Sequence, residues 1–407
     1  MRTTSTPRET WMLGIALGVL YAAAIAASMH GAARSDEIYH FAQIELFRHG
    51  EPRVLDKYLT TIPGYHAAVA AVLTATGLDS IGAARTVTAL FGLLAIAAFH
   101  AIRRETQRGT ETLATAQFVV LPVLAPFFFL VYTDVFALAL ILWATFATLR
   151  SKRVVSALLL TVAVLVRQSD VVWAGFLALV VVWPAIRARN PVDIRNAAIR
   201  VLPYAVPLVL FVAFWIWNGS ISLSREQAGL HPEFSFHVGN ILLALVLAGI
   251  LLPLQALAGA ADFRARLAKA PMFFAIPLVA FFSVPLFFAA DNPYNTAQPD
   301  FFLHNTLVQL MANHAWRFVA AIFATFAVCG LSSTRLVPAS AAWLYPISAF
   351  FLSAEWLVET RYLIVPFALW LAFRQHRNRT IEWATLALWA ALAVSIIAGT
   401  ISGRIFP

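Results

Sequence analysis

The sequence LATAQFVVLPVLAPFFFLVYTDVFALALILWATFATL, residues 113–149, contains a single charged residue, Asp134. Basic residues border this stretch on both sides, at 103–108 and at 150–153. Because about 20 apolar residues are enough for a helix to cross a bilayer, the stretch predicts two membrane spans joined by a short polar turn. The positive-inside rule then places both of its basic ends in the cytoplasm.

The rest of the chain repeats this pattern. Of its 407 residues, 61% are hydrophobic and 12% are charged, which excludes an ordinary soluble domain. The sequence therefore predicts an all-α protein, a polytopic transmembrane helical bundle of about thirteen spans. The spans are predicted at about 12–30, 84–102, 113–131, 135–149, 154–166, 171–186, 201–217, 238–258, 271–290, 317–332, 337–354, 362–373 and 382–401.

Charge is divided between the two sides of this predicted bundle. Basic residues collect in alternate loops, whereas most acidic and histidine residues fall on the opposite side. The net charge of +9 therefore reflects membrane topology, and no loop has the pattern of a nucleic-acid groove. We find no repeat or linker and expect a single domain, 1–407.

Residues 31–83 are predicted to form one long external loop. Its apolar stretch, 62–78, is treated as a helix at the outer interface, because a complete span there would invert every later basic loop. The predicted spans contain almost no ionisable residue inside the membrane. This argues against an ion-coupled transporter and places the polar chemistry where a lipid head group would lie.

The densest polar motif follows the first span directly and includes Asp36, Glu37 and His40. Adjacent carboxylates above a bilayer suit general-base catalysis, so Asp36 and Glu37 are the candidate catalytic residues. The alternative is structural, with Ser35 or Asp36 capping the N-terminus of an interfacial helix.

Other polar residues of the same side are candidates for substrate binding. Arg167 and Arg361 suit a phosphate ester, although internal ion pairs, of Arg361 with Glu359 or Glu355 and of Arg167 with Asp170, are equally compatible with the sequence. Each of the others has a structural alternative as a cap, a turn or an interfacial anchor. The substrate-binding candidates are His40, Lys57, Thr60, Thr61, Asp134, Arg167, Gln168, Asn218, His231, Asp291, Asn292, Glu359, Arg361 and Tyr362.

Several motifs occur in the order and spacing of a known family. They are Asp36-Glu37-Ile38-Tyr39-His40, Thr60-Thr61-Ile62-Pro63-Gly64, Tyr132-Thr133-Asp134, Arg167-Gln168, Trp217-Asn218-Gly219-Ser220-Ile221, Asp291-Asn292, and Leu357-Val358-Glu359-Thr360-Arg361-Tyr362 with Pro366. Together they resemble the GT-C glycosyltransferases, and most closely the dolichyl-phosphate-glucose-dependent alpha-1,2-glucosyltransferases that add the last glucose to the lipid-linked oligosaccharide. One departure, Leu223–Glu226 where that family has Gly-Asp and spaced histidines, leaves the acceptor open.

The resemblance implies an inverting transfer of glucose from a polyprenyl or dolichyl phosphate to a glycan or lipid-linked oligosaccharide, on the non-cytoplasmic face of the membrane. That face would be the periplasm of a bacterium or the lumen of the endoplasmic reticulum. Asp36 would be the base, Glu37 or His40 would orient it, and Arg361, Arg167 and His231 would stabilise the phosphate. Neither a cofactor nor a metal is expected. Transfer of mannose or aminoarabinose remains an alternative, as does a lipid-linked-sugar transporter.

Overall fold

The computed structural model describes residues 7–224, 235–297 and 307–405. Within these ranges the chain folds almost entirely as helices, and its one β-type pairing is an isolated antiparallel bridge between Leu336 and Arg374. The expected all-α architecture is therefore confirmed. The helices are α1 Pro7–Ser28, α2 Glu37–Arg48, α3 Gly64–Thr76, α4 Ile81–Thr106, α5 Glu111–Val119, α6 Asp134–Leu149, α7 Arg153–Val166, α8 Val171–Ala188, α9 Pro191–Val201, α10 Ala205–Asn218, α11 Gly239–Leu251, α12 Pro253–Leu267, α13 Ala275–Phe287, α14 Pro293–Ala297, α15 Leu307–Ala312, α16 His314–Ser333, α17 Leu344–Ser353, α18 Ile364–Phe373 and α19 Arg379–Ser402.

Helices of membrane-spanning length identify an integral membrane protein. In the described residues six helical segments are long and apolar enough to span, and a seventh results if α11 and α12 count as one bent span. Five shorter apolar helices accompany them, so the predicted number of thirteen stays a prediction. The six segments are Trp11–Ser28, Ile81–Thr106, Gln168–Ala188, Pro191–Asn218, His314–Ser333 and Arg379–Ser402.

Two of the predicted spans are broken by proline. In the predicted span 113–131, α5 ends at Val119, and the chain continues as turns and a short 3-10 helix, all buried. In the predicted span 238–258, α11 and α12 meet at an angle of 99° where Pro253 opens the second helix. Proline lacks an N–H donor and restricts the residue before it, which explains why a continuous apolar stretch does not remain a continuous helix.

The predicted external loop folds onto the bundle as α2 and α3. Helix α3 has 13 residues and is about 20 Å long, shorter than the roughly 30 Å that a span requires. It packs on α4, where the Tyr65 hydroxyl lies 2.6 Å from that of Thr88. A Cβ atom on Gly64 would lie 2.4 Å from the carbonyl oxygen of Leu165, so glycine permits the close approach to α7. These contacts fix the loop rigidly beside the spans.

Close contact between two helices organises the other half of the bundle. Helix α12 crosses α16 at Gly259, where a Cβ atom would lie 2.4 Å from the Cα of Gly330. Small residues at such crossings let helix backbones approach, and dispersion contacts then hold the helices together in the membrane. The crossing keeps the bent helix pair against the rest of the protein.

We expect Gly259→Ala to destabilise the protein, because the added methyl group has no space at this crossing. Overpacking of this kind costs about 1–3 kcal/mol, measured as a lower thermal or denaturant midpoint of the purified protein in detergent. Gly18→Ala is the matched control, because in the part of the chain that the structure describes nothing lies within 4 Å of its Cβ position in α1. Equal midpoints for the two variants would contradict the proposed crossing.

Candidate active site

A cavity of about 1330 Å³ lies among the helices, and two kinds of wall enclose it. One wall is polar and is built from the start of α2, the turn before α6, the junction of α7 with α8, and the segment before α18. The other is apolar and is formed mainly by α8, α10 and α17. The ionisable residues of the polar wall, tyrosines included, are Asp36, Tyr39, His40, Tyr58, Tyr132, Asp134, Arg167, Tyr294, Glu355, Glu359, Arg361 and Tyr362.

Asp36 faces this cavity beside the guanidinium group of Arg361. The Nη1 atom of Arg361 donates to Oδ2 of Asp36 at 3.1 Å, and its Nε donates to Oε2 of Glu359 at 2.7 Å. The Glu359 side chain is only 7% exposed, whereas that of Asp36 is 43% exposed. Arg361 is therefore anchored by Glu359, while Asp36 remains accessible to a substrate.

The backbone before α2 directs Asp36 into the cavity. Ser35 has a φ of +47°, in the left-handed region, and Asp36 occupies the N-cap position of α2. Its side chain nevertheless makes no capping hydrogen bond, so capping does not account for the carboxylate. Of the two interpretations left open by the sequence, the geometry supports a group available to a substrate.

Glu37 has a different environment from its neighbour. Its side chain is completely buried and does not line the cavity. Arg85 donates to both of its carboxylate oxygens, at 2.9 and 2.6 Å, and the backbone N–H groups of Arg34 and Val131 donate to it at 2.9 and 2.8 Å. Four hydrogen bonds thus hold the carboxylate of Glu37, which the sequence analysis had predicted to be a catalytic candidate.

Arg85 completes this buried network and was missed by sequence reasoning. Its Nη1 donates to the carbonyl oxygens of Ser28 and Gly31, and its Nη2 to that of Ala32. The signal was present, because Arg85 is a basic residue at the non-cytoplasmic end of a predicted span. The same argument singled out Arg167 and Arg361.

Arg167 also forms an ion pair in the polar wall. Its partner is Asp134, at the start of α6, whereas the sequence analysis had given an ion pair with Asp170 as an alternative to phosphate binding. Both side chains are nearly buried, with exposures of 10% and 2%. Four carboxylates and two guanidinium groups therefore line the cavity, and Glu355 is the carboxylate for which the described residues supply no ion-pair partner.

Burial governs the ionisation of two further cavity residues. Burial, together with the charges of Arg361 and Arg167, lowers the pKa of His40 to about 3. His40 is accordingly neutral at pH 7, and its Nδ1 lies 2.9 Å from Nε2 of His66. Burial raises the pKa of Glu355, while Arg167 and Arg361 oppose that effect.

Two asparagines fix the segment that carries Glu355, Glu359 and Arg361. Asn240, at the start of α11, donates to the carbonyl oxygens of residues 355 and 357 and accepts from the N–H of Glu359. Asn295 exchanges two hydrogen bonds with the backbone of Val358, at 2.9 and 3.0 Å. The sequence analysis missed both, although for Asn240 an amide in the first turn of an apolar helix is a usable signal.

Gln168 has a comparable role on the other side of the cavity. Its Nε2 donates to the carbonyl oxygens of Thr60 and Ile221, and its Oε1 accepts from the N–H of Ile62. One side chain thereby joins the first loop, the end of α7 and the segment after α10. Both polar atoms of its carboxamide are used in these hydrogen bonds, so Gln168 holds the wall of the cavity in shape.

The predicted site residues divide into three groups. Those that line the cavity are Asp36, His40, Thr60, Thr61, Asp134, Arg167, Gln168, Glu359, Arg361 and Tyr362. Those that do not line it are Glu37, Lys57, Asn218, Asp291 and Asn292. His231 lies outside the described residues.

Three of the residues beyond the cavity contact groups close to its wall. Lys57 lies 5.0 Å from the centre of the Tyr58 ring, and Asp291 accepts from Nε1 of Trp356 at 2.9 Å. Asn218 donates to two carbonyl oxygens of the following turn. Within the described ranges, no group of three or more His, Cys, Asp or Glu side chains is arranged to hold a metal ion.

Comparison with known proteins places this geometry in context. The DIE2/ALG10 family matches residues 32–197 and 189–372. The "Dol-P-Glc:Glc(2)Man(9)GlcNAc(2)-PP-Dol alpha-1,2-glucosyltransferase" of Drosophila melanogaster is 24% identical over 434 residues, covering 95% of this chain and 94% of the relative. The protein of the same name from Yarrowia lipolytica is 30% identical over 216 residues, covering 49% and 40%.

A solved structure with a similar chain is the crystal structure of ArnT from Cupriavidus metallidurans in the apo state. It covers 96% of this chain and 78% of its own, with 16% identity and a TM-score of 0.42. This similarity is too remote to support an argument about the site.

We expect Glu37→Gln to destabilise the fold by about 3–5 kcal/mol, because it leaves the buried Arg85 charge uncompensated. The free energy of unfolding in detergent is the measurement. Glu105→Gln is the control, because it breaks an exposed pair with Arg150 that contributes less than about 1 kcal/mol. A Glu37 variant of normal stability that has lost activity would instead support the catalytic prediction.

Proposed function

Because this chain belongs to the DIE2/ALG10 family, we propose that it is an inverting hexosyltransferase that moves glucose from a polyprenyl phosphate to a glycan hydroxyl. The family expected from the sequence motifs is confirmed. The two curated relatives described above are named as alpha-1,2-glucosyltransferases with Dol-P-Glc as donor. We extend that donor class and linkage to this protein, with a lipid-linked oligosaccharide as the acceptor.

The observation that carries this proposal is the junction of a polar and an apolar wall in one cavity. A polyprenyl-phosphate sugar has a charged phosphate, a neutral sugar and a long hydrocarbon chain. The guanidinium groups of Arg361 and Arg167 suit the phosphate, and the accessible Asp36 carboxylate suits the reacting hydroxyl. No soluble nucleotide sugar would require the apolar wall.

The apolar wall has room for a lipid chain because its residues on α8 are small. Ala174, Gly175 and Ala178 line the cavity, and no atom of the described residues lies within 4 Å of a Cβ atom placed on Gly175. Leu208 and Phe211 of α10 contribute larger apolar groups to the same cavity. Burial of hydrocarbon there supplies binding energy far from the reacting atoms.

In the proposed step, Asp36 accepts the proton of the acceptor hydroxyl as its oxygen attacks the anomeric carbon of glucose. The bond between that carbon and the phosphate oxygen breaks, and the electron pair leaves with the phosphate. Attack opposite the leaving group converts a beta linkage into an alpha linkage. The acceptor is thereby glycosylated, and the proton remains on Asp36 until it passes to water.

Positive charge is needed where the phosphate departs as an anion, and Arg361 and Arg167 are the groups that we propose supply it. Because the leaving group is already ionised, neither a general acid nor a metal ion is required in this proposal. We propose that Glu37 positions Asp36 through its buried network. His40, which is neutral, supplies a hydrogen bond to the sugar.

We further propose that the cavity opens on the non-cytoplasmic side. Helix α4 runs from Arg85, which contacts the end of α1 near the cavity, to Arg103 about 27 Å further along its axis. Arg103 lies in the predicted basic, cytoplasmic end of that helix. This separation supports opposite sides of the membrane for the cavity and the basic loops.

We expect Asp36→Asn to reduce transfer by at least about 100-fold, because the amide keeps the shape of the side chain but cannot accept the proton. The measurement is the initial rate of glucose transfer from synthetic polyprenyl-phosphate glucose by the purified protein. Asp79→Asn, an exposed acid before α4, is the control and should leave the rate unchanged. A parental rate in a folded Asp36→Asn variant would refute this assignment.

A second expectation concerns the pH dependence of donor use. The charged and titratable groups that face Glu355 are Arg167, Asp170, Glu359, Arg361 and Tyr362, and burial raises the pKa of Glu355. Glu355 is therefore neutral below that raised pKa. Above that pKa its ionised carboxylate adds a negative charge beside the donor phosphate. The KM for the donor should rise as the pH increases through the raised pKa.

Glu355→Gln, which is permanently neutral, should remove this rise while keeping kcat within about threefold of the parent. The check is the KM for the donor in both proteins over a pH series that runs upward from the ordinary titration range of a carboxyl group. A rise that persists unchanged in the Gln variant would show that another group causes it.

A further inference from the structure

Four aromatic side chains form a rim on the polar side of the cavity. This aromatic rim consists of Tyr39, Tyr58, Tyr294 and Trp356, and all four line the cavity. They come from α2, from the following loop, from α14 and from the segment before α18. Residues so far apart in the sequence converge at one place only because the fold brings them together.

The rings of the rim have accessible faces. Tyr39 and Tyr58 lie with their ring centres 4.6 Å apart and tilted, and the two residues are 36% and 41% exposed. Trp356 stacks on His237 with ring centres 6.0 Å apart, and its Nε1 donates to Asp291. One face of the indole is thereby supported, and its orientation is fixed by a hydrogen bond.

The rim adjoins the proposed base. Tyr39 follows Asp36 by one helical turn, and its N–H donates to the Asp36 carbonyl oxygen at 3.0 Å. Burial raises the pKa of Tyr294, and the charges of Asp36, Tyr39 and Tyr58 raise it further, which indicates that these groups are near neighbours. A molecule held on the rim would therefore present its groups to the Asp36 carboxylate.

The chemistry of the rim differs from that of the surrounding surfaces. Its neighbours are hydrogen-bonding groups, and the phosphate-binding guanidinium groups lie deeper, at Arg361 and Arg167. Aromatic faces bind the C–H faces of sugar rings, while phenol and indole groups hydrogen-bond to hydroxyls. Trp316 of α16 is an exposed aromatic residue that does not line the cavity.

We propose that the aromatic rim is the binding site for the acceptor glycan and stacks its terminal sugars so that a hydroxyl faces Asp36. The ligand is a neutral oligosaccharide. The exposed ammonium group of Lys57, 5.0 Å from the Tyr58 ring centre, would donate to one of its hydroxyls. This inference deepens the function proposed above and rests on it for the identity of the reaction.

The first experiment measures glycan binding without donor or turnover. The probe is soluble Glc(2)Man(9)GlcNAc(2) glycan, and binding to the full-length protein in nanodiscs is followed by saturation-transfer NMR. We expect Trp356→Ala and Tyr58→Ala each to weaken binding by about tenfold, a factor that corresponds to about 1.4 kcal/mol and lies at the upper end of what one aromatic contact contributes. Tyr58→Phe, which keeps the ring, should bind within about threefold of the parent.

The second experiment separates acceptor binding from donor use. With the donor saturating, Trp356→Ala should raise the KM for the acceptor by about tenfold, whereas the KM for the donor, measured with the acceptor saturating, should not change. Trp316→Ala is the matched control and should change none of these values. Thermal midpoints of all the variants exclude unfolding as the cause of a loss.

The outcomes distinguish this inference from the proposed function. If the parent does not bind the glycan, or if the rim variants bind it as the parent does, the assignment of the rim is wrong. If the glycan binds through the rim but no polyprenyl-phosphate glucose is consumed, the rim is supported and the proposed donor fails.

Discussion

The geometry of the cavity depends on the buried ion pair between Glu37 and Arg85. A carboxylate removed from water is stable only when its oxygens are paired and hydrogen-bonded, and Glu37 meets that condition with four hydrogen bonds. Through Arg85 the same network holds the carbonyl groups that follow α1. It therefore fixes where α2 begins, and with it the position and direction of Asp36.

The polar wall also depends on ion pairs, but one of its paired carboxylates stays accessible. Arg361 pairs with one nearly buried carboxylate and one accessible carboxylate, so its position is fixed while part of its hydrogen-bonding capacity faces the cavity. Arg167 is held in a similar way by Asp134. Fixed charges of this kind need little reorganisation when negative charge develops on a substrate, which is the basis of electrostatic catalysis. The apolar wall then adds binding energy without adding charge.

The sequence predicted which side of the membrane carries the chemistry, and that argument was enough to bring Asp36, Arg167 and Arg361 into one candidate site. It could not decide which of two adjacent carboxylates faces a substrate, because neighbouring residues on a helix point about 100° apart and either can be turned inward. It also missed Asn240 in α11 and Asn295 in α14, although both hold the segment that carries Arg361. Asn218 and Asp291 were predicted to bind substrate, but they do not line the cavity and contact residues of its wall instead. The sequence did not predict the aromatic rim as a binding site, because single aromatic residues near a membrane interface are common anchors.

The contact between Asp36 and Arg361 joins residues that are 325 positions apart in the chain. During synthesis, the first helices enter the membrane long before the segment of Arg361 leaves the ribosome. A growing or truncated chain therefore contains the carboxylate without its cation and has no complete site. The protein gains its capacity for catalysis only when its last helices are in place, so a prematurely terminated product would be inert toward the lipids around it.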